Sequence, residues 1–505
     1  MKALEEAAAQ AGRLPETLME DAGLGVAQEV WITLGAVPER KVVVLVGPGN
    51  NGGDGLVAAR HLHDWGAHVT VLLLAKRPSD DTNLQLVIEL GIPVREAGES
   101  VDALDSAEVI VDAVLGTGRA RPLEGVFVGV LDRVSQLRTS SALAPKVIAV
   151  DLPTGVDCDT GAVDLHALRA DVTVALGVSK VGLHTLPGAD HAGTIEVIDI
   201  GLPKGAVDAL PVELLNPRWV RERLPARPAI GNKGTFGRVL VVAGSQLYTG
   251  AARLTSLAAL RAGAGLVTLA CPASVQALVA PDASEVTYLP LPETNGSVAA
   301  EAAIDVARVL PQYDALVLGP GLGQGPAQES FVRQLLCSLD EGAPPVVIDA
   351  GGLNNLAKLP RWWERVNAEC VLTPHPGEFS RLTGKSIADI QSDRLALARA
   401  AAKEWKQTVV LKGAYSVIAA PDGAAAVNPY ANPALATAGT GDVLAGVIGG
   451  LLAQKVAAFN AACCGAYVHA AAAEGLRAES GDAGLLAGDL LPELPRTVKE
   501  LRGLG

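Results

Sequence analysis

Along this chain, short runs of β-branched and other apolar residues alternate with alanine- and leucine-rich stretches of helical length. That alternation constrains the fold more than any other feature. Lys41 to Val46, Val69 to Leu74, Val109 to Val114, Val147 to Val150 and Val172 to Leu176 are each almost continuously apolar, as strands buried on both faces are. Such strands need helices on both sides, so the expected class is α/β with doubly wound, three-layer parallel sheets. After a proline- and charge-rich stretch, Gly201 to Lys233, the pattern restarts with Val239 to Ala243, Gly265 to Ala270, Ala315 to Leu318, Pro345 to Asp349, Val371 to Thr373, Thr408 to Leu411 and Ser416 to Ala419. At 505 residues the chain exceeds what a single core organises. Two different domains are expected, residues 1–210 and 220–505, because the halves share no motif order.

Charge and cysteine usage narrow the function. Hydrophobic residues make up 49% of the chain and charged ones 19%, which excludes global disorder. With 41 Lys and Arg against 55 Asp and Glu, the net charge of −14 opposes non-specific binding to nucleic acid or an anionic membrane. An anionic ligand then has to be held by local amide dipoles or single cations. Cys158, Cys271, Cys337, Cys370, Cys463 and Cys464 include no C-x-x-C pair, so a zinc site or disulfide framework is not expected. No leader-like segment opens the sequence, and Val443 to Ala453 is too short and glycine-rich to span a bilayer, so a cytoplasmic location is expected.

Three loops of the first half end strands of the expected sheet. VVVLVGPGNNGGDGLVAARHL reads as a strand, a glycine-rich turn from Gly47 to Gly55, and a helix beginning near Asp54 or Gly55. Glycines allow close backbone approach and a helix start presents free N–H groups, a combination suited to phosphate, although Asn-Gly and Asp-Gly are also ordinary turn formers. DAVLGTGRARP and DLPTGVDCDTG each set a carboxylate, Asp112 and Asp151, at the end of an apolar strand that has no need of a solvated acid. In open α/β sheets ligands bind at that edge.

The set GNNGGDG, DAVLGTG and DLPTGVDCDTG, preceded by LMEDAG, resembles the NAD(P)HX epimerase domain over roughly residues 1–210. The resemblance implies a Rossmann-like fold in which Asn50, Asn51, Gly52, Gly53, Asp54, Gly116, Thr117, Gly118, Arg119, Ala120, Arg121 and Pro122 contact a hydrated nicotinamide nucleotide. Asp151 is then beside the reacting ring. It further implies potassium at Asn51, Asp112 and Thr154. These three offer only oxygen ligands, which suits a hard cation, and they can equally brace the loops by bonding one another. Inverting a hydroxyl-bearing carbon needs a proton donor or acceptor, and Asp151 is the best-placed carboxylate. The family often has asparagine where this chain has Asp21.

The second half carries NPALATAGTGDVLAGVIGGLLA, a small-residue loop, Gly-Thr-Gly-Asp, and a long apolar helix. Backbone amides of Gly439, Thr440 and Gly441 at the helix start form an anion hole, with Asp442 in the first turn. A carboxylate beside an anion hole can take a proton during phosphoryl transfer, or merely favour the helix dipole. Lys412 and Gly413 close a strand with a cation and bare backbone, and Pro374 and Pro376 fix the backbone around His375.

KGTFGRVLVVAGS, YTGAA, GPGLG, PHPGE, LKG and NPALATAGTGDVLAG together resemble the ribokinase-like superfamily, and within it the NAD(P)HX dehydratase branch, from about Gly231 onward. The resemblance implies that Lys412, Gly413, Ala414, Tyr415, Ser416, Gly439, Thr440 and Gly441 bind the phosphates of ADP, with magnesium. Ala252, Gly321, Gly323, His375 and Asp442 then face the substrate, NADHX or NADPHX, and a homo-oligomer is expected. Two alternatives remain open at this point: a ribokinase-like kinase of a vitamin-precursor alcohol, and a non-catalytic nucleotide-binding scaffold.

Overall fold

The computed structural model describes residues 1–98, 101–118, 122–140 and 144–503. The chain divides into two compact units, Met1–Leu210 and Pro211–Gly505. In the first, β1 Lys41–Val46, β2 His68–Leu73, β3 Val94–Glu96, β4 Val109–Ala113, β5 Lys146–Val150, β6 Val172–Leu176 and β7 Thr194–Ile198 form one sheet in the order 3-2-1-4-5-6-7. Every pairing is parallel. Along β1, Val42, Val44 and Val46 enter one core and Val43 and Leu45 another, so both faces are covered. The winding reverses between β1 and β4, which opens a crevice at their carboxyl ends.

The second unit contains β8 Val212–Leu214, β9 Arg238–Val242, β10 Leu266–Pro272, β11 Thr287–Leu291, the hairpin β12 Glu293–Thr294 with β13 Ser297–Val298, β14 Ala315–Leu318, β15 Val346–Ile348, β16 Cys370–Leu372, β17 Thr408–Leu411, β18 Val417–Ala419 and β19 Ala425–Val427. Ten of these make a sheet in the order 11-10-9-14-15-16-17-18-19-8. It is parallel from β11 to β17, and β18 then runs antiparallel to both its neighbours. Here the winding reverses between β9 and β14. Val239 and Val241 face one core, Leu240 and Val242 the other.

Two differences from the sequence expectation have physical causes. β3, β7 and β8 are short and half-exposed edge or near-edge strands, without the apolar run that marks the central ones. The helix after β1 starts at Asn50, four residues before Asp54. Its glycines are not turn formers, and none of Gly52, Gly53 and Gly55 has a positive φ. They give way to neighbours: a Cβ on Gly52 would lie 2.2 Å from the Gly47 carbonyl oxygen, and one on Gly55 would lie 2.4 Å from the Ala113 Cβ. Helical geometry therefore reaches the sheet edge itself.

The helix Thr440–Ala453 is buried on nearly every side. Gly446 and Gly449 permit this, since a Cβ on either would come within 2.2 Å of the Thr255 carbonyl oxygen or the Val317 Cγ2. Among the described residues no helix is long and apolar enough to cross a membrane.

Candidate active sites

At the carboxyl edge of the first sheet, the structure gathers Asn51, Asp54, Asp112, Asp151 and Thr154, all buried. Asp112 is wholly inaccessible and accepts hydrogen bonds from the Thr154 amide at 2.8 Å and the Thr154 hydroxyl at 2.7 Å. Burial pushes its pKa up, against the pull of those donors and of the Val114 amide. No cation pairs with it among the described residues. Asn51 approaches the same loop, its Oδ1 2.9 Å from where a Gly116 Cβ would stand, and its Nδ2 is buried without a partner.

Asp151 has φ 67°, an uncommon conformation for a residue with a side chain, and strain of this kind is held where surrounding bonds over-determine it. Those bonds come from the Asp151 amide, which donates to the Val174 carbonyl at 2.8 Å, from the Leu176 amide, which donates to Oδ1 at 3.2 Å, and from Lys180, which the sequence reading missed. Its buried ammonium is ion-paired with Asp151 Oδ1 and donates to the Leu176 carbonyl at 2.9 Å. Asp54 stands near enough to feel both. Burial first, then the Asp151 charge, raises its pKa well above the ordinary range and favours its neutral form. Arg77, also missed, donates to the carbonyls of Gly47 and Gly49 and pins the turn between β1 and its helix.

Asn50, Gly118 and Pro122 are exposed around this buried group and Gly116 and Thr117 half-buried, while Arg119, Ala120 and Arg121 lie outside the described residues. Asp21 pairs with Arg13 at 3.0 Å.

The second sheet converges on Lys412. Its Nζ lies 2.6 Å from Asp349 Oδ1 and 3.9 Å from Glu378 Oε2, and the Thr373 hydroxyl donates to the same Asp349 oxygen at 2.8 Å. Burial disfavours the ammonium, but Asp349 and Glu378 outweigh it and the lysine pKa is raised. The helix start lies beside it: a Cβ on Gly441 would be 3.3 Å from Nζ. Gly439 caps the helix with φ 94°. In the first turn Asp442 is pushed up to about 7 by burial and by the Asp349 charge, with Lys412 opposing. A carboxylate poised there is suited to taking a proton near neutral pH.

Two further groups hold this start in place. The Thr255 hydroxyl donates to the Asp442 carbonyl at 3.1 Å. His469 Nε2 donates to the Thr440 carbonyl at 2.9 Å, and burial lowers the histidine pKa to about 4. Since the unfolded residue titrates near 6.5, the unfolded chain binds more protons between those values. Stability from this site is therefore full above about pH 6.5 and is lost as the pH falls toward 4, by about 3 kcal/mol when complete. His469→Gln is expected to flatten that part of a plot of unfolding free energy against pH.

Gly321 and Gly323 are half-buried with φ of 63° and 80°. Asn355 fixes this loop by donating to the carbonyls of Gly323 and Gly351. Ala252 is completely buried, its Cβ 2.9 Å from where a Gly244 Cβ would be, so its side chain offers nothing to a ligand. His375 is exposed and caps a helix, its Nδ1 accepting from Gly377 N at 3.0 Å, so that Nε2 carries the proton of the neutral ring. Gly413 and Ala414 are exposed and Tyr415 and Ser416 half-buried, in a turn closed by Gly413 N donating to the Ser416 hydroxyl at 3.2 Å.

Two family models match these two units separately. Residues 15–182 match YjeF-related protein N-terminus and residues 239–496 match NAD(P)H-hydrate dehydratase. A bifunctional NAD(P)H-hydrate repair enzyme of Moorella thermoacetica is 42% identical over 499 residues, covering 96% of this chain and 92% of that protein. The chain belongs to this bifunctional repair-enzyme family. Its counterpart in Thermofilum pendens is 39% identical over 98% of this chain and 94% of its own length. The crystal structure of an ADP/ATP-dependent NAD(P)H-hydrate dehydratase from Bacillus subtilis, co-crystallised with ATP and Mg2+, is similar to the second unit. It is 37% identical, with a TM-score of 0.51, and covers 58% of this chain and 100% of that one.

Membership of the repair-enzyme family does not explain why Lys180, Asp349, Glu378 and Arg394 escape notice in the sequence. Lys180 comes four residues beyond a strand, in GVSKVG, with no motif around it. Asp349 does end an apolar strand, as Asp112 and Asp151 do, and that signal could have found it.

Proposed function

We propose that this chain repairs hydrated NADH and NADPH, interconverting the R and S hydrates in the first unit and dehydrating the S hydrate at the expense of ADP in the second. The observation that carries the reading is Asp442, a carboxylate with pKa about 7 in the first turn of a helix whose Gly441 lies beside the Lys412 ammonium. Hydroxide leaves a hydrated ring poorly. Asp442 accepts the proton of the ring hydroxyl as that oxygen attacks the β-phosphorus of ADP, and AMP departs. Lys412 and the amides of Gly439, Thr440 and Gly441 offset the charge on the phosphoryl oxygens. The new phosphate ester then breaks as the ring nitrogen donates its lone pair, and loss of a proton from the neighbouring carbon restores the dihydronicotinamide. The products are NAD(P)H, AMP and phosphate.

Dehydration then has a defined pH profile. Asp442 works as a base only when ionised, so kcat rises through about pH 7 and levels above it. Initial rates of NAD(P)H recovery between pH 5.5 and 8.5 test this, and a flat profile over that range removes Asp442 as the base.

In the first unit, exchange of a hydroxyl between two faces of a ring carbon needs an acid to protonate the departing oxygen and a base to deprotonate the returning water. Asp54, whose neutral form burial favours, serves as the acid, and Asp151, ion-paired with Lys180, as the base.

Asn51, Asp112 and Thr154 suit a potassium ion, since Asp112 is a buried carboxylate without a paired cation and the other two contribute oxygens. A bound potassium ion would supply the compensating charge and tie the two loops together. Asp112→Asn is expected to abolish any dependence of epimerisation, and of the unit's Tm, on potassium in place of choline. Magnesium would come with the nucleotide: the described residues hold no cluster of three acidic, histidine or cysteine side chains able to cage it, and Asp349 Oδ2 is left free by Lys412 and Thr373.

A mixture of both hydrate epimers, ADP and magnesium tests the whole reading through absorbance of the reduced cofactor. Full recovery is expected. Recovery of one epimer alone overturns epimerisation, and a stable phosphorylated product in place of phosphate favours a kinase.

A further inference from the structure

Arg394 is buried, and its burial is expensive in three ways. It is the first residue of the helix Arg394–Trp405, where the helix dipole disfavours a cation. No carboxylate pairs with it among the described residues, and its Nε is buried without a partner. Burial lowers its pKa to about 10. A charge so placed needs compensation from outside its own surroundings.

Its contacts point to where that compensation comes from. Nη2 donates to the carbonyl of Leu411 at 2.9 Å and to that of Lys412 at 3.2 Å, and Nη1 donates to Gln391 Oε1 at 2.9 Å. Gly413 has φ 145°, a conformation that disfavours a side chain, and it packs against the guanidinium: a Cβ there would lie 3.1 Å from Nη2. The arginine therefore sits directly behind the turn Lys412 to Ser416. By holding the carbonyls of Leu411 and Lys412 on its own side it turns the amides that follow away from itself, the Lys412 amide to the Pro374 carbonyl at 2.9 Å and the Gly413 amide to the Ser416 hydroxyl at 3.2 Å, in the exposed turn where a phosphate oxygen can take that hydroxyl's place. Arg77 likewise donates to the carbonyls of Gly47 and Gly49 in the first unit, but its charge is answered by Asp81 at 2.5 Å, a partner that Arg394 lacks among the described residues.

We propose that Arg394 is a positioning residue for the nucleotide: it orients the amides of the Gly413 turn and adds positive charge behind them, so that the turn binds a diphosphate that the arginine never touches. This rests on the reading of the second unit as an ADP-dependent dehydratase. The arriving phosphate charge is what the buried guanidinium lacks in the free protein, so nucleotide and arginine stabilise one another across the turn.

The test uses the full chain with S hydrate, ADP and magnesium, comparing wild type with Arg394→Met and Arg394→Lys. Wild-type turnover is measured first, and its absence overturns the dehydratase reading rather than the role of Arg394. With turnover present, Arg394→Met is expected to raise KM for ADP about tenfold, the scale of a lost hydrogen bond to a charged group. KM for the hydrate and kcat at saturating ADP should stay within about twofold. Arg394→Lys keeps the charge and one carbonyl bond and should recover part of the loss; it also serves if the methionine variant fails to fold. A merely structural role lowers Tm and leaves KM for ADP unchanged, or lowers kcat and both affinities together. Either result in a folded variant overturns the proposal.

Discussion

Asp442→Asn is expected to lower kcat for ADP-dependent dehydration by about a thousandfold or more while leaving the second unit folded and more resistant to heat. The first effect follows from loss of the carboxylate proposed to take the hydroxyl proton as phosphorus is attacked, and general-base catalysis is worth about 10²–10⁴ in rate. The second follows from the sign of the pKa shift. Asp442 titrates near 7 in the folded chain against an ordinary value near 3.8, so the folded state binds the extra proton between those limits. Stability from this group is present below about pH 3.8 and is lost as the pH rises through 7. The neutral amide carries no such loss, and Tm at pH 8 should rise by several degrees. Turnover and thermal unfolding measured on the same sample separate this outcome from misfolding. An inactive variant with a lowered Tm would point to a structural aspartate at the helix start, and an active one would remove the mechanism.

The stability expected of the amide also shows why the carboxylate is costly to keep. Asp349 and Glu378 crowd it with negative charge, and one lysine answers all three. Burial raises the pKa of Glu378 despite the same lysine. Such a cluster weakens the free protein and pre-organises it for a ligand that brings metal and phosphate charge of its own.

How much of this was legible in the sequence differs between strand ends and strand interiors. Central strands declared themselves because both faces are buried, and the loops following β1, β4 and β5 carried glycine and acid where a plain turn would need neither. Asp442 could be nominated from its helix start alone. Lys180 and Arg394 could not, because each works by reaching back through space to a turn 29 or 17–18 residues distant along the chain. No local periodicity encodes that reach. The glycines after β1 serve the close approach that the sequence suggested, but inside a helix rather than in a turn: their missing side chains let that helix touch the Gly47 carbonyl and the Ala113 methyl.

Lys180 provides the second large effect. Lys180→Met leaves Asp151 buried, with a positive φ, and without the ammonium that binds its Oδ1. A buried carboxylate that loses the one cation paired with it among the described residues is pushed toward its neutral form, because desolvation penalises the charged one. Burial already favours the neutral form of Asp54, so the pocket would lose its base. Epimerisation should fall by about 10²–10⁴, while dehydration, performed by a separate unit, proceeds at the wild-type rate. An equal mixture of hydrates makes the split visible in one trace: NAD(P)H recovers rapidly to the amount of S hydrate supplied and then stalls with the R hydrate unspent. Lys180→Arg keeps a cation in the pocket and is expected to shorten the stall. If Lys180→Met consumes both epimers at the wild-type rate, the Asp151–Lys180 pair is a brace for the strained strand end, and the proton path through the first unit runs elsewhere.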